Sequence, residues 1–464
     1  MLKLYNSLSR QKEEFKPINP PKVGFYTCGQ TVYDHTHLGH IKKYIGDDLI
    51  RRTLQYLSYE VFHVQNVTDV GHLESDADEG EDKLEKGSRK LGIDVLQLAR
   101  KFEDEFYADL KEVNILYPHV VQRAADEKSI KEQIRLIAIL LDKRYAYMTD
   151  SAIYFDVAKL PDYNPFSNQP LSEKIAGSRE DVIVDPNKHN SADFALWIFK
   201  KGIHTNHALF WNTPWGDGFP GWHIECSAIS MQNLGEYIDI HTGGIDHLLV
   251  HHPNEIAQNY GITGHQVVNY WVHHEFMMID GRKMSKSLGN YFTLYDVKNK
   301  GFDPLAMRYF VLNAHYRKQI NFTWEALTAA NNALNNLKKI VLKYKETKIE
   351  PHINPIYKDK FENVLNDDIN TPQTLSLLWE VIEGESKDEE KLGFILNADK
   401  VWGLKLDELE PDVIPDEVKK LADQRFDLRV AKKYIEADQI RSQIEEIGYS
   451  VIDTPTETKV EPNV

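Results

Sequence analysis

The apolar positions change period twice near the start of the chain. Residues 22–28 carry the β-formers Val23, Phe25 and Tyr26, which predicts a strand. From Leu38 the spacing turns helical, with Ile41, Ile45, Leu49, Leu54 and Leu57 on one stripe, which predicts a helix over 38–59. Strand character returns over 59–66. Strand, crossover helix and strand make a β-α-β unit. A parallel sheet is therefore expected, with a ligand at the carboxyl ends of its strands.

Helices are expected over 94–113 and 126–143, and a hairpin over 146–157 that turns at Asp150-Ser151. Residues 76–89 are dense in charge and glycine, which predicts an exposed loop. Residues 161–190 are polar and proline-rich, which predicts irregular structure. The alternation then resumes, with a helix over 223–235 and a strand over 237–241 that ends in Thr242-Gly243-Gly244-Ile245-Asp246. A helix over 252–260 and a strand over 267–279 follow. Thr68 and His241 are expected to close neighbouring strands of one sheet.

Beyond Asp303 the pattern is helical, over 304–314, 324–344, 356–365, 372–384 and 391–401, with two more helices within 415–450. The polar tail after Asp453 is expected to be disordered. The fold class is α/β: a Rossmann-like parallel sheet with an inserted connective domain, followed by an α-helical C-terminal region. The expected division is 1–110 and 221–323 for the two halves of the sheet domain, 111–220 for the insertion, 324–402 for a helical bundle and 403–464 for a last domain with a flexible tail.

Composition narrows the class. The 464 residues are 42% hydrophobic and 27% charged, enough for several domains and a large core. No apolar run approaches a bilayer span, so no membrane association is expected. Residues 1–16 are polar, without the apolar stretch of a secretory leader, and there are two cysteines only; a cytoplasmic protein is expected. A net charge of −16 argues against indiscriminate nucleic-acid coating but leaves room for a specific RNA on a local basic surface.

The candidate chemistry lies in four segments. Gly281-Arg282-Lys283-Met284-Ser285-Lys286-Ser287-Leu288-Gly289-Asn290 is a cationic, donor-rich loop suited to gripping a polyphosphate while its charge shifts. Thr36-His37-Leu38-Gly39-His40 sits where the first long helix begins. Backbone N–H groups there favour anions, and Gly39 allows close approach. Gly243, Gly244 and Asp246, after a strand, suit a ribose. Cys28 ends the first strand, Cys226 lies on the 223–235 helix, and His251 and Glu255, four apart, share a helix face. Thiolates, imidazole and carboxylate suit tetrahedral zinc. Spacing alone leaves open two small buried cysteines and an ordinary surface pair, and does not separate His251 from His252.

Lys283 to Ser287 reproduce Lys-Met-Ser-Lys-Ser, and His37 to His40 differ from His-Ile-Gly-His only by Leu38. Together they resemble the signatures of class I aminoacyl-tRNA synthetases. Gly221-Trp222-His223-Ile224-Glu225-Cys226-Ser227 and Cys28-Gly29-Gln30-Thr31-Val32-Tyr33-Asp34 make the resemblance specific to the cysteinyl-tRNA synthetases, from Asn6 to about Asp453. That family usually continues after Thr68-Asp69 with Ile-Asp-Asp-Lys, where this chain has Val70-Gly71-His72-Leu73.

The resemblance implies one zinc on Cys28, Cys226, His251 and Glu255, and Mg²⁺ accompanying ATP. It implies L-cysteine held by Gly29, Thr31, Thr68, Trp222 and His241. ATP would be held by His37, Gly39, His40, Gly243, Gly244, Asp246 and Lys286, with His37, His40, Lys283 and Lys286 as the catalytic set. The partner it implies is tRNA(Cys), the 3′ adenosine of which receives the cysteine; a monomer is expected. Zinc prefers a thiolate to a hydroxyl, so it would separate cysteine from serine without an editing domain. The final block carries Arg425, Arg429, Lys432, Lys433, Tyr434 and Arg441, a set suited to RNA or, since Asp427, Glu436 and Asp438 alternate with them, to a solvated amphipathic helix; the resemblance favours RNA. Two alternatives share these motifs: an ATP-dependent cysteine:amino-sugar ligase, and a catalytically silent RNA-binding protein.

Overall fold

The computed structural model describes every residue except 76–78, 161–162, 164, 167–184, 286–287, 412–413 and 463–464. Five parallel strands form the central sheet, in the spatial order Val268–His274, Ile238–Gly244, Lys22–Thr27, Glu60–Val67 and Val120–Arg123. The strand first in sequence lies in the middle, and the chain winds outward from it in both directions. The winding reverses between Lys22–Thr27 and Ile238–Gly244, where Thr27 pairs with Thr242. Open α/β sheets bind ligands at such a reversal, beyond the strands' carboxyl ends.

This order corrects one expectation. Thr68 and His241 do not close neighbouring strands, because Lys22–Thr27 runs between theirs. It also moves a boundary. Val120–Arg123 pairs with Glu60–Val67, so the first half of the sheet runs past residue 110. Four residues, half of them polar, carry too short a pattern to read as a strand.

The insertion is a four-stranded antiparallel sheet of Ala146–Met148, Ala152–Phe155, Phe194–Phe199 and Gly218–Pro220. Its first hairpin turns at the expected dipeptide, with Thr149 N–H donating to Ala152 O at 2.9 Å. Most of 161–190, expected to be irregular, lies outside the described residues. The charged stretch expected as a loop over 76–89 forms a hairpin, Leu73–Ser75 with Glu79–Asp82, and then a helix, Lys83–Leu91. Asp82 caps that helix by accepting from Leu84 N–H, and Gly92 ends it at φ 67°. Lys86, Arg89 and Lys90 are exposed while Asp82 and Leu84 are buried. Its residues 76–78 lie outside the described set.

Helices Leu38–Tyr56, Trp222–Leu234 and His251–Thr263 flank the reversal. The apolar run 267–279 is two strands. Val268–His274 stays in the parallel sheet, and Met277–Ile279 joins Arg282–Lys283 and Ile320–Phe322 in a separate three-stranded sheet.

The chain divides into two compact units, Met1–Leu337 with Glu350–Asp407, and Lys338–Ile349 with Glu408–Val464. Residues 350–402, expected within a separate bundle, are thus packed into the first unit. Arg308 fastens them. It is fully buried, ion-paired to Asp48 at 2.5 Å, and donates to Val113 O and Trp402 O. Removing one partner of such a pair costs about 3–5 kcal/mol.

In the second unit Asp416–Val430 and Tyr434–Glu446 pack around Val418, Ala422, Ile440, Ile444 and Val460. The tail expected to be disordered forms a strand, Thr458–Pro462, against Tyr449–Asp453. Alternate residues there, such as Val451 and Val460, meet the two helices, which a polar average conceals. Arg425, counted among the RNA-facing cations, is buried and paired with Asp453 at 2.8 Å.

Candidate functional site

The strand Lys22–Thr27 delivers Cys28 to the reversal point, and the next residue must be glycine. A Cβ on Gly29 would lie 1.7 Å from Asn66 O, and its N–H donates to Asn66 Oδ1 at 2.7 Å. Cys226 arrives on the helix Trp222–Leu234, and His251 and Glu255 on the helix His251–Thr263. One donor atom of each of these four lies within 4.8 Å of all the others, and all are buried. His251 Nε2 is 3.4 Å from Cys226 Sγ and 3.0 Å from Glu255 Oε1.

A second set, Cys28, His241, His252 and Glu255, meets the same criterion. His252 Nε2 is 3.3 Å from Cys28 Sγ, so the ambiguity in the sequence between His251 and His252 has a counterpart in space.

Electrostatics bind the group together. Burial pushes the Cys28 thiol up, but the Cys226 hydrogen bond and the nearby His252 and His241 outweigh it and bring it well below its ordinary value. Burial pushes the Cys226 thiol well up, and its neighbour Cys28 adds to that. Burial alone would lower His251, yet Glu255 and Cys28 carry it up to about 10. A concentration of ionisable groups that each pull on the next is a setting in which a bound cation would be stabilised. His223 Nδ1 lies 2.9 Å from His251 Nδ1. A neutral His251 that offers Nε2 to a cation carries its proton on Nδ1, and His223 is placed to accept it.

The five residues expected around an amino acid gather at this cluster. Thr31 and Thr68 bridge the two strand ends, and Thr68 donates to Glu225, beside Cys226. Trp222 stacks on His251 at 4.3 Å and on His72 at 4.1 Å, 11° from parallel. His241 Nε2 is 3.4 Å from Cys28 Sγ, its ring on Trp271 at 4.4 Å.

His72 belongs to the segment Val70-Gly71-His72-Leu73 that follows Thr68-Asp69. Its Nδ1 is 2.7 Å from Thr31 Oγ1 and its Nε2 2.6 Å from Lys83 Nζ. This segment leaves and returns as a hairpin, so Asp82 and Lys83 come back beside Gly71 and His72. The sequence reading missed His72 and Lys83. It also missed Glu225, which burial pushes up to about 8 against the Thr68 hydrogen bond. Lys43, likewise missed, donates to Cys28 O at 2.6 Å. The one available signal was a lysine one turn before Asp47 on the same helix.

On the opposite side stands the start of the helix Leu38–Tyr56. His37 caps it, its Nδ1 accepting from His40 N–H at 3.2 Å, and the two rings stack at 3.6 Å. Burial brings His37 down to about 4 against the pull of Asp246. Burial also brings His40 well below its ordinary value, and its Nδ1 is buried with no hydrogen-bond partner. Both rings are therefore neutral at pH 7, and act there as hydrogen-bonding groups rather than cations.

Gly39 lies against His37, and a Cβ there would come within 3.8 Å of Met284 Cε. The cationic loop is thus brought over the helix start. Leu38 N–H donates to Phe292 O at 2.9 Å, and Tyr291 OH donates to His35 O at 2.6 Å. Lys283 is exposed at the loop's root. Lys286 lies outside the described residues. Gly243 has no room for a side chain, since a Cβ would meet the His252 ring at 2.5 Å. Gly244 packs on Asp246, whose side chain stays exposed and whose charge reaches His37.

The sequence matches the family of tRNA synthetases class I (C) catalytic domains over residues 14–332. It is 40% identical to a cysteine–tRNA ligase of Treponema denticola, covering 98% of this chain and 99% of that protein. The chain belongs to the cysteinyl-tRNA synthetase family. Cysteine–tRNA ligase 1 of Burkholderia lata is 41% identical, over 98% of this chain and 95% of the relative. Among solved structures, the fold is shared with a Mycobacterium tuberculosis methionyl-tRNA synthetase bound by methionyl-adenylate. The TM-score is 0.56 at 15% identity, over 83% of this chain and 93% of that one. An Agrobacterium radiobacter LeuRS in a ternary complex with tRNA gives 0.61 at 12% identity, over 85% and 86%. No helix among the described residues is long and apolar enough to cross a membrane.

Proposed function

We propose that the protein activates L-cysteine with ATP and passes the cysteinyl group to the 3′ terminal adenosine of tRNA(Cys). One observation carries this reading: the buried cluster of Cys28, Cys226, His251 and Glu255 lies at the same strand ends as the His37–His40 helix start. A thiol-selecting group and a phosphate-binding group thus meet in one site.

The cluster suits zinc. It offers two sulfurs, an imidazole and a carboxylate, and Glu255 Oε2 is buried without a hydrogen-bond partner. The set with Cys226 is favoured because it uses both thiols, and His223 orients its histidine. Zinc bound there supplies a soft Lewis acid that prefers the substrate's sulfur to the oxygen of serine.

The chain's own residues do the rest. Gly29, Thr31, Thr68, Trp222 and His241 wall the amino acid. Its carboxylate oxygen attacks the α-phosphorus, and the bond from that phosphorus to the bridging oxygen of pyrophosphate breaks. His37, Gly39 and His40 present ring and backbone donors to the phosphates. Gly243 and Gly244 let the nucleoside approach, and Asp246 accepts from its ribose hydroxyls. Lys283 and Lys286 neutralise the charge that grows on pyrophosphate, with Mg²⁺ accompanying ATP. Positioning and charge suffice, with no covalent enzyme intermediate. Every residue named comes from one chain, so a monomer suffices, and its setting on this reading is the cytoplasm.

Cysteine-dependent ATP–pyrophosphate exchange, followed by charging of tRNA, tests the proposal. Exchange without charging, together with ligation of cysteine to an amino sugar, would overturn it. Removing 415–464 is expected to spare exchange while charging falls, and charging that survives this deletion would remove the second unit from tRNA binding.

A further inference from the structure

Glu225 stands beside the amino-acid pocket with a role that neither the metal cluster nor the phosphate side requires. It is 1% exposed, on the first turn of the helix Trp222–Leu234. Its Oε1 accepts from Thr68 Oγ1, from Asn66 Nδ2 at 3.0 Å and, at the long distance of 4.0 Å, from Cys226 Sγ. Its Oε2 is buried and has no hydrogen-bond partner. A buried carboxylate left half satisfied is costly.

The hydrogen-bond inventory gives the carboxylate a specific effect. A threonine hydroxyl has one proton and two lone pairs. The proton of Thr68 goes to Glu225, and one lone pair takes Asn66 Nδ2 at 3.2 Å. One lone pair remains. The Asn66 amide cannot turn over, because its Oδ1 is held by Gly29 N–H at 2.7 Å. The Thr68 and Asn66 donors fix Glu225 Oε1 as an acceptor whether or not Oε2 carries a proton. Thr68 is consequently unable to donate into the pocket and able only to accept.

We infer that Glu225 is a positioning residue that sets the polarity of the Thr68 hydroxyl, so that Thr68 Oγ1 receives the α-ammonium of the amino-acid substrate. This rests on the proposed function. It adds which end of the substrate Thr68 reads, and why. The thiol end belongs to the cysteine cluster and the carboxylate must face ATP; the α-ammonium, with three donors and no acceptor, is the end that needs an acceptor-only wall.

Glu225→Met is the test, with Glu225→Gln as its control. The thioether chain keeps the length but offers Thr68 no oxygen, which frees the Thr68 proton to point into the pocket; the glutamine amide keeps its oxygen toward Thr68 and Asn66 and should leave cysteine binding unchanged. Two ligands are compared, L-cysteine and 3-mercaptopropionate, which has the same thiol and carboxylate but no α-ammonium. KM for cysteine in pyrophosphate exchange is expected to rise roughly 10- to 100-fold, the loss when a buried hydrogen-bonding group meets the wrong partner. Inhibition by 3-mercaptopropionate should stay within about threefold, as for a substitution that touches none of its contacts.

Thr68→Val should give the same split, Thr68→Ser should restore cysteine binding, and the double variant should be no worse than either single one. Should Glu225→Met fail to fold, the Thr68 pair carries the comparison alone. If both ligands weaken together, or neither does, Glu225 is only a structural tether and the inference is wrong. If the unaltered protein shows no cysteine-dependent exchange, the proposed function falls first and takes the inference with it.

Discussion

Cys28, Cys226, His251 and Glu255 are each no more than 3% exposed, whereas Lys283 is exposed and Met284 and Ser285 beside it are only partly covered. The thiol side is assembled from two helices and a strand end that the core already holds. The phosphate side has one fixed half, the start of the helix Leu38–Tyr56, and one half carried on a surface loop. The difference follows from what each must do. Choosing sulfur over oxygen needs ligands placed before the substrate arrives, because selectivity resides in fixed geometry. Stabilising a departing polyanion needs charge that meets the phosphates only as the bond breaks, which an exposed lysine supplies.

The contrast can be broken first at the buried side. Cys226→Ala should strip the bound metal and lower cysteine-dependent exchange at least roughly 1000-fold, about 4 kcal/mol. Elemental analysis and exchange rates on the same preparation check this, and retained metal would shift the ligand set toward His241 and His252. On the loop side, Lys286→Ala should slow adenylate formation roughly 100- to 1000-fold with little change in KM for cysteine. Single-turnover rates equal to those of the unaltered protein would remove Lys286 from the chemical step. His223→Ala probes the support of the buried side, which the loop lacks; metal affinity should fall roughly 10- to 100-fold, read by competition with a chelator.

The smallest effect is in pH. His37 sits at about 4 and His251, without metal, at about 10, on either side of the ordinary 6.5. A depressed histidine favours folding fully above about 6.5, and this is lost as pH falls toward 4. A raised one favours folding below about 6.5, and this is lost as pH climbs through 10. Thermal unfolding of metal-stripped protein should weaken on both flanks. His37→Asn should slightly flatten only the acid flank, since His63, which burial brings to about 3, also contributes there.

What the sequence disclosed depended on how far apart the partners lie. His37 to His40 and Lys283 to Ser287 are contiguous, so their chemistry can be read without knowing the fold. The first β-α-β unit was equally plain, because the period of its apolar residues changes sharply. Glu225, His72 and Lys43 were not legible. Each acts across the fold, Lys43 on Cys28, His72 on Thr31 and Glu225 on Thr68, and nothing local distinguishes Glu225 from any acid in a first helical turn. His251 and His252 differ by one position on one helix face, and the fold brings both rings to Cys28, so that local pattern was ambiguous for a structural reason. The strand Thr458–Pro462 and the buried Arg425 escaped for a related one: a polar average hides a two-residue alternation, and a cation looks free until its carboxylate is located.

Lys43 joins the two sides mechanically. It lies three residues after His40 on one helix, about 4.5 Å farther along the axis, and its ammonium holds the carbonyl of Cys28 while paired to Asp47 at 2.8 Å. Asp47 in turn takes Thr242 Oγ1 at 2.6 Å and His274 Nε2 at 2.8 Å, from the two strands beyond. One turn of helix therefore serves as a ruler between the place for phosphate and the place for sulfur. Its graduation cannot be adjusted in small steps. One residue inserted between His40 and Lys43 would swing the lysine by about 100° and leave the carbonyl without its donor. The separation between the helix start and the Cys28 carbonyl is set by backbone periodicity, which no side-chain rotamer on that turn adjusts.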